Sequence, residues 1–118
     1  MQTLFEDEPV ASAPRRLQQD PFWPRVHAVE VRRALGLGDE VSDTRLEVAL
    51  RSAVMTLERE FAGARYLWRC EGFKTLDEVP ATMEGVLSIV ERQYRDALHR
   101  ATRRLLDEQL QVREGTHV

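Results

Sequence analysis

From Leu46 to Trp68 the apolar residues return at steps of three and four: Leu46, Leu50, Ala53, Val54, Leu57, Phe61, Ala64 and Trp68. Side chains at that spacing share one side of an α-helix, so the stretch predicts one long amphipathic helix over about residues 43–70. Arg45, Glu47, Arg51, Glu58, Arg59 and Arg65 fall on the other side. Glu47 and Arg51 stand in the favourable i,i+4 order, yet an exposed pair of this kind contributes only about 0.2–0.5 kcal/mol. The apolar stripe therefore decides the structure. Ser42 or Asp43 can accept from the open amides of the first turn. Gly63 lowers helix propensity by about 1 kcal/mol relative to alanine, which predicts a bend or a close helix approach.

A second long helix is predicted from Thr82 or Met83 to about Val112, with Val86, Val90, Tyr94, Ala97, Ala101 and Leu105 in a stripe joined by Leu87, Leu98 and Leu110. Between the two, Glu71-Gly-Phe-Lys-Thr-Leu-Asp-Glu-Val-Pro80 reads as a connector, with Gly72 just past a helix end and Phe73, Leu76 and Val79 pinning the loop to the core. Ahead of both, Pro24 suits the first turn of a short helix over about residues 25–35, with Val26, Val29, Val31 and Leu35 apolar, which Gly36-Leu-Gly38 ends. Phe22 and Trp23 are either a plug under the bundle or an exposed docking knob. Two long helices joined by a short connector lie antiparallel. The expected fold is all-α: a small helical bundle of two long antiparallel helices and a short N-terminal helix, with no sheet. Leu50, Val54, Leu57, Phe61, Val90, Tyr94 and Ala97 are expected to be buried together. Residues 1–19 read as a flexible N-terminal arm, 20–113 as the helical domain and 114–118 as a C-terminal tail.

The 118 residues suffice for one domain with a modest core, and a formal net charge of −3 argues against a dedicated nucleic-acid binder. Arginine supplies 16 of the 17 basic residues, Lys74 being the other. In the last helix region, however, Arg92, Arg95, Arg100, Arg103, Arg104 and Arg113 alternate with Glu91, Asp96, Asp107 and Glu108, as on an ordinary solvated face. The chain carries a single cysteine, so no intrachain disulfide forms, and Cys70 is expected to be packing filler. His27, His99 and His117 stand at no metal-ligand spacing, and His99 is expected to be a partly buried structural residue. Glycine-rich phosphate loops and nucleophile elbows are absent. Glu6, Asp7, Glu8 and Asp20 interrupt the N-terminal region where a signal peptide would be apolar, and no stretch is long enough to cross a bilayer. The expectation is a protein made in the cytoplasm that is no enzyme, needs no cofactor or metal and meets no membrane.

One succession of local signatures goes further. Phe22-Trp-Pro24 precedes Val31-Arg-Arg-Ala-Leu35. Val41-Ser-Asp-Thr-Arg-Leu-Glu-Val-Ala-Leu50 follows, then the connector Glu71–Pro80. Tyr94-Arg-Asp-Ala-Leu98 finally leads into Leu105-Leu-Asp-Glu108. Taken in order, these resemble the phage head-completion protein family of the gene L product type, over about Asp20 to Arg113. The glycine-aromatic-x-x-Leu-x-x-Val-Pro segment is the most specific part. The chain departs from the family's usual Val-Asn at Leu57-Glu58.

The resemblance implies a structural virion protein at the head–tail junction, assembled in the host cytoplasm. Its partners would be the portal protein ring, a tail-side connector or tail terminator protein, and further copies of itself in a ring, expected to be a dodecamer. Packaged DNA would pass through without sequence-specific binding. The end of the last helix then becomes the candidate portal contact, through Leu106, Leu110, Val112 and Arg113, with the N-terminal arm as the rival grip. The alternating charges Arg51, Glu58, Arg59, Arg92, Asp96, Arg100 and Arg103 become the candidate inter-subunit face. The reading from another class is a small helical DNA-binding accessory protein, such as a terminase small subunit.

Overall fold

The computed structural model describes residues 20–85 and 87–115, with side chains as far as Leu110. These residues are mostly helical. In chain order they form α1 (Ala28–Leu35), α2 (Asp43–Glu60), α3 (Ala62–Cys70), a single 3-10 turn (Leu76–Glu78), strands β1 (Met83–Glu84) and β2 (Leu87–Ser88), and α4 (Ile89–Gly115).

The start of the domain is a knot of backbone bonds around aromatic rings. The amides of Phe22 and Trp23 donate to the Asp20 carboxylate (2.9 Å) and carbonyl (3.1 Å), a tight local turn of the kind aspartate favours. Phe22 and Trp23 are both buried, which settles them as the plug. Leu76 of the connector donates its amide to the Phe22 carbonyl at 2.9 Å, and Leu76 and Val79 are buried beside the turn. The connector is thus pinned as its sequence suggested. Helix α1 begins at Ala28, three residues later than expected, because Pro24 belongs to the segment leading out of the aromatic turn. It ends at Gly36, whose φ of 66° lets its amide turn back to the Arg32 and Arg33 carbonyls.

Ser42 caps α2 by accepting from the Arg45 amide at 3.1 Å. Asp43 is left to pair with Arg32 at 2.9 Å, and Arg32 also donates to the Gly38 and Val41 carbonyls, which fixes the loop between α1 and α2. Leu46, Leu50, Ala53, Val54 and Leu57 are buried with Ala49, and α4 is their main partner. Arg45 near the start of α2 donates to Gln109 near the end of α4 (3.4 Å), while Phe61 past the end of α2 meets Tyr94 near the start of α4 (6.4 Å between centroids).

Several expectations are corrected. The helix over 43–70 is two helices, divided at Phe61, whose φ of −102° and ψ of 14° lie outside the helical well. Hydrogen bonds still run across the division, from Phe61 to the Leu57 carbonyl and from Arg65 to that of Phe61, so it is a bend. The bend turns Phe61 onto Trp23, at 6.0 Å between centroids, and Gly63 two residues later weakens the straight alternative. Of the two outcomes expected at Gly63, the bend is the one found, and a close approach is not, since a Cβ there would meet nothing within 4 Å.

The last helix starts at Ile89, not at Thr82 or Met83, and a small sheet precedes it. Met83 pairs with Ser88 and Glu84 with Leu87, antiparallel, around a turn where Gly85 takes a φ of 68°. Ser88 then caps α4 by accepting from the Glu91 amide at 3.2 Å. Ser88-Ile-Val-Glu91 has the spacing of a capping box, a start signal outweighed by the apolar run of Val86 and Leu87.

The buried side of α4 is also rotated from the expected stripe. Tyr94, Leu98, Ala101, Thr102 and Leu106 are buried, whereas Val90, Ala97 and Leu105 are only partly so. Thr102 is 0% exposed, and its hydroxyl is satisfied by the Leu98 carbonyl at 2.8 Å.

Candidate interaction surfaces

The residues expected to meet partners must lie on outer faces, so the exposed side chains matter most here. The seven charged residues expected to face a neighbouring copy divide between two helices. On α4, Arg92, Asp96, Arg100 and Arg103 follow at steps of four, four and three, which places them on one exposed side. Arg51 and Arg59 are exposed on α2. Four of the seven already bond within the chain. Arg51 pairs with Glu47 at 3.3 Å, Glu58 accepts from the Asp20 amide at 3.1 Å, Arg92 pairs with Glu84 at 3.3 Å, and Arg103 donates to the Leu35 carbonyl at 2.6 Å. The last contact sets a guanidinium against the carbonyl end of α1, where the helix dipole favours positive charge. Arg59, Asp96 and Arg100 are the exposed remainder.

Beside Arg103 lies an open depression of about 540 Å³ between Leu35 and one side of α4, lined by His99, Arg100, Arg104 and Asp107 among others. His99 is half-buried there, as its position near the apolar stripe suggested. Burial pushes its pKa below the ordinary 6.5 and Arg95 adds to this, while Asp96 and Glu30 of α1 work the other way. A base depressed on folding contributes stability that is fully present above 6.5 and is lost as the pH falls through the lower folded value. The expected result is a loss of stability on acidification below 6.5 that His99→Gln reduces, read from urea unfolding at a series of pH values. Identical pH profiles for the two proteins would refute it.

The residues expected to grip a portal separate. Leu106 is 5% exposed and belongs to the core, so it supports α4 and is not offered to a partner. Leu110, one turn on, is 46% exposed. Val112 and Arg113 lie on the continuing helix, which reaches Gly115, and their side chains fall outside the described residues. So do the arm 1–19 and residues 116–118.

Sequence reasoning missed the face of α3. Its inner edge carries Trp68, stacked on Phe22 (6.1 Å, 16° between planes), and Arg65, which lies over the Phe22 ring and pairs with Asp20 at 2.5 Å. Its outer side carries Gly63, Tyr66, Leu67 and Cys70 at steps of three, one and three. Tyr66 and Leu67 are 66% and 61% exposed, and Cys70 is exposed too, which corrects its reading as packing filler. Ala64, expected in the core, is also exposed. Nothing on α3 is fully buried. The signal was present in the sequence, because the 63, 66, 67, 70 spacing is as helical as the inward 61, 64, 68 one.

Among the described residues no group of three or more His, Cys, Asp or Glu is placed to hold a metal ion, and no helix is long and apolar enough to cross a membrane. What the described residues present is a small helical body with a mixed-charge side and an apolar strip. A family model described as phage head completion protein (GPL) matches residues 17–116, and the chain belongs to that family. Membership carries a role in completing the phage head and a place in the virion. No curated protein and no solved structure matches the chain significantly.

Proposed function

We propose that this chain is a non-catalytic head-completion protein that binds the portal as a ring, a dodecamer in the virion. There it stabilises the DNA-filled capsid and forms part of the connector to a tail-side protein, with DNA passing through and no base being read. The observation that carries this reading is the family match across residues 17–116, which spans all the described residues. The architecture supports it as a bundle built on α2 and α4 lying antiparallel, the order favoured by the Arg45–Gln109 and Phe61–Tyr94 contacts. Ring closure needs two different faces on each copy. The alternating charges on α4 and α2, with Arg59, Asp96 and Arg100 exposed, suit a polar contact that forms reversibly. The portal contact is assigned to Leu110, Val112 and Arg113 on the last turns of α4, whose direction the bundle sets. The chain is made in the host cytoplasm and joins the head late in assembly.

Native mass measurement tests the proposal. Alone, the protein is expected as a monomer or small oligomer. With its cognate portal ring, it is expected to add as a complete second ring. Salt-sensitive binding to duplex DNA with no affinity for portal would overturn the proposal and favour a DNA-binding accessory role.

A further inference from the structure

We infer that the outer side of α3 is a docking strip for the chain's own first residues, with Leu4 and Phe5 seated on Tyr66 and Leu67. This inference does not depend on portal binding and can fail or stand separately from it.

Three observations converge on that occupant. The first is the strip itself: Gly63, Tyr66, Leu67 and Cys70 form an exposed apolar line on a helix that meets the core only through its opposite edge. The space where a Cβ of Gly63 would stand is open, so nothing among the described residues covers that end of the strip.

The second is where the N-terminal segment begins. Asp20, its junction with the folded body, pairs with Arg65 in the middle of α3 and donates its amide to Glu58 just before the bend. The 19 residues ahead of it can span about 60 Å when extended, at roughly 3.3 Å each. Helix α3, with 9 residues, is about 14 Å long. Phe5, fifteen residues from Asp20, therefore reaches the strip easily.

The third is charge. Apart from Arg65, which Asp20 holds at the inner edge, the chain from Arg59 to Cys70 carries the exposed Arg59 and Arg69 against Glu60. The apolar pair Leu4-Phe5 is followed directly by Glu6-Asp7-Glu8, so seating the pair brings three carboxylates to this arginine-rich stretch. A second copy of the chain is the less suitable occupant, because the segment is already tethered beside its target and the high effective concentration favours the intrachain contact.

Cys70, the only thiol in the chain, lies on the strip and reports its cover. The experiment compares the rate of Cys70 modification by a disulfide reagent in the full chain, in a chain lacking Met1–Gln19, and in the full chain carrying Leu4→Ser with Phe5→Ser. Circular dichroism checks that each is folded, and the double substitution carries the test if the shortened chain is not. The full chain is expected to react at least tenfold more slowly than the other two. Equal rates would overturn the inference. Thr3→Cys in the full chain, oxidised at low concentration, is expected to give an intrachain disulfide with Cys70. Disulfide-linked dimers, or no bond to Cys70 at all, would overturn the assignment to the same chain.

Discussion

Replacing Trp23 with alanine is expected to cost about 3–5 kcal/mol of folding stability, the scale of removing a large buried aromatic. Trp23 is 5% exposed and stacks on Tyr94 with 5.0 Å between centroids and 7° between planes. It also meets Phe22 edge to face at 4.9 Å and Phe61 at 6.0 Å. These rings come from the N-terminal turn, the bend after α2 and the start of α4, so one side chain joins three parts of the fold. For a domain whose whole stability is typically about 5–15 kcal/mol, such a loss approaches unfolding. Trp23→Phe separates the contributions. The indole Nε1 has no hydrogen-bond partner among the described residues, so phenylalanine sacrifices packing area but no bond. It is expected to cost less than half as much as alanine in parallel urea titrations. A loss under about 1 kcal/mol for Trp23→Ala would show that the aromatic cluster does not hold the domain together.

Truncation after Gln109 is expected to leave the fold intact and to reduce affinity for the cognate portal at least tenfold. The buried side of α4 ends at Leu106, and Gln109, which accepts from Arg45, is retained. What the truncation removes begins with exposed Leu110 and includes Val112 and Arg113. A chain lacking Met1–Gln19 is expected to bind the portal with full affinity. Sedimentation of each variant with portal rings decides the matter. Full binding after the C-terminal truncation together with loss after the N-terminal one would make the arm the grip. The two predictions probe different levels, Trp23 what holds the body together and the last turns of α4 what the body presents.

Much of the fold was legible in the sequence because the relevant forces are local. Three-and-four spacing fixes which residues share a helix side, and Leu46, Leu50, Val54 and Leu57 are buried as that spacing requires. Ser42 caps α2 and Gly36 ends α1, because a hydroxyl beside open amides and a residue free to take positive φ act within one turn of chain. The order of local signatures led to the family for the same reason.

Tertiary structure alone decided the rest. Between Phe61 and Cys70 apolar residues occur all around the helix, so periodicity could not say which of them faced inward. The contacts of Phe61 with Trp23 and of Trp68 with Phe22 made that choice, bending the chain and turning Tyr66, Leu67 and Cys70 outward. The start of α4 was a contest between the apolar run through Leu87 and the Ser88 cap, and pairing with Met83 and Glu84 gave it to the cap. Leu106 and Leu110 look alike in sequence, yet one is buried against the bundle and the other is half out of it. A helix pattern gives the angle between side chains, while the partner's position gives the angle from which they are buried, and only folding brings the partner into place.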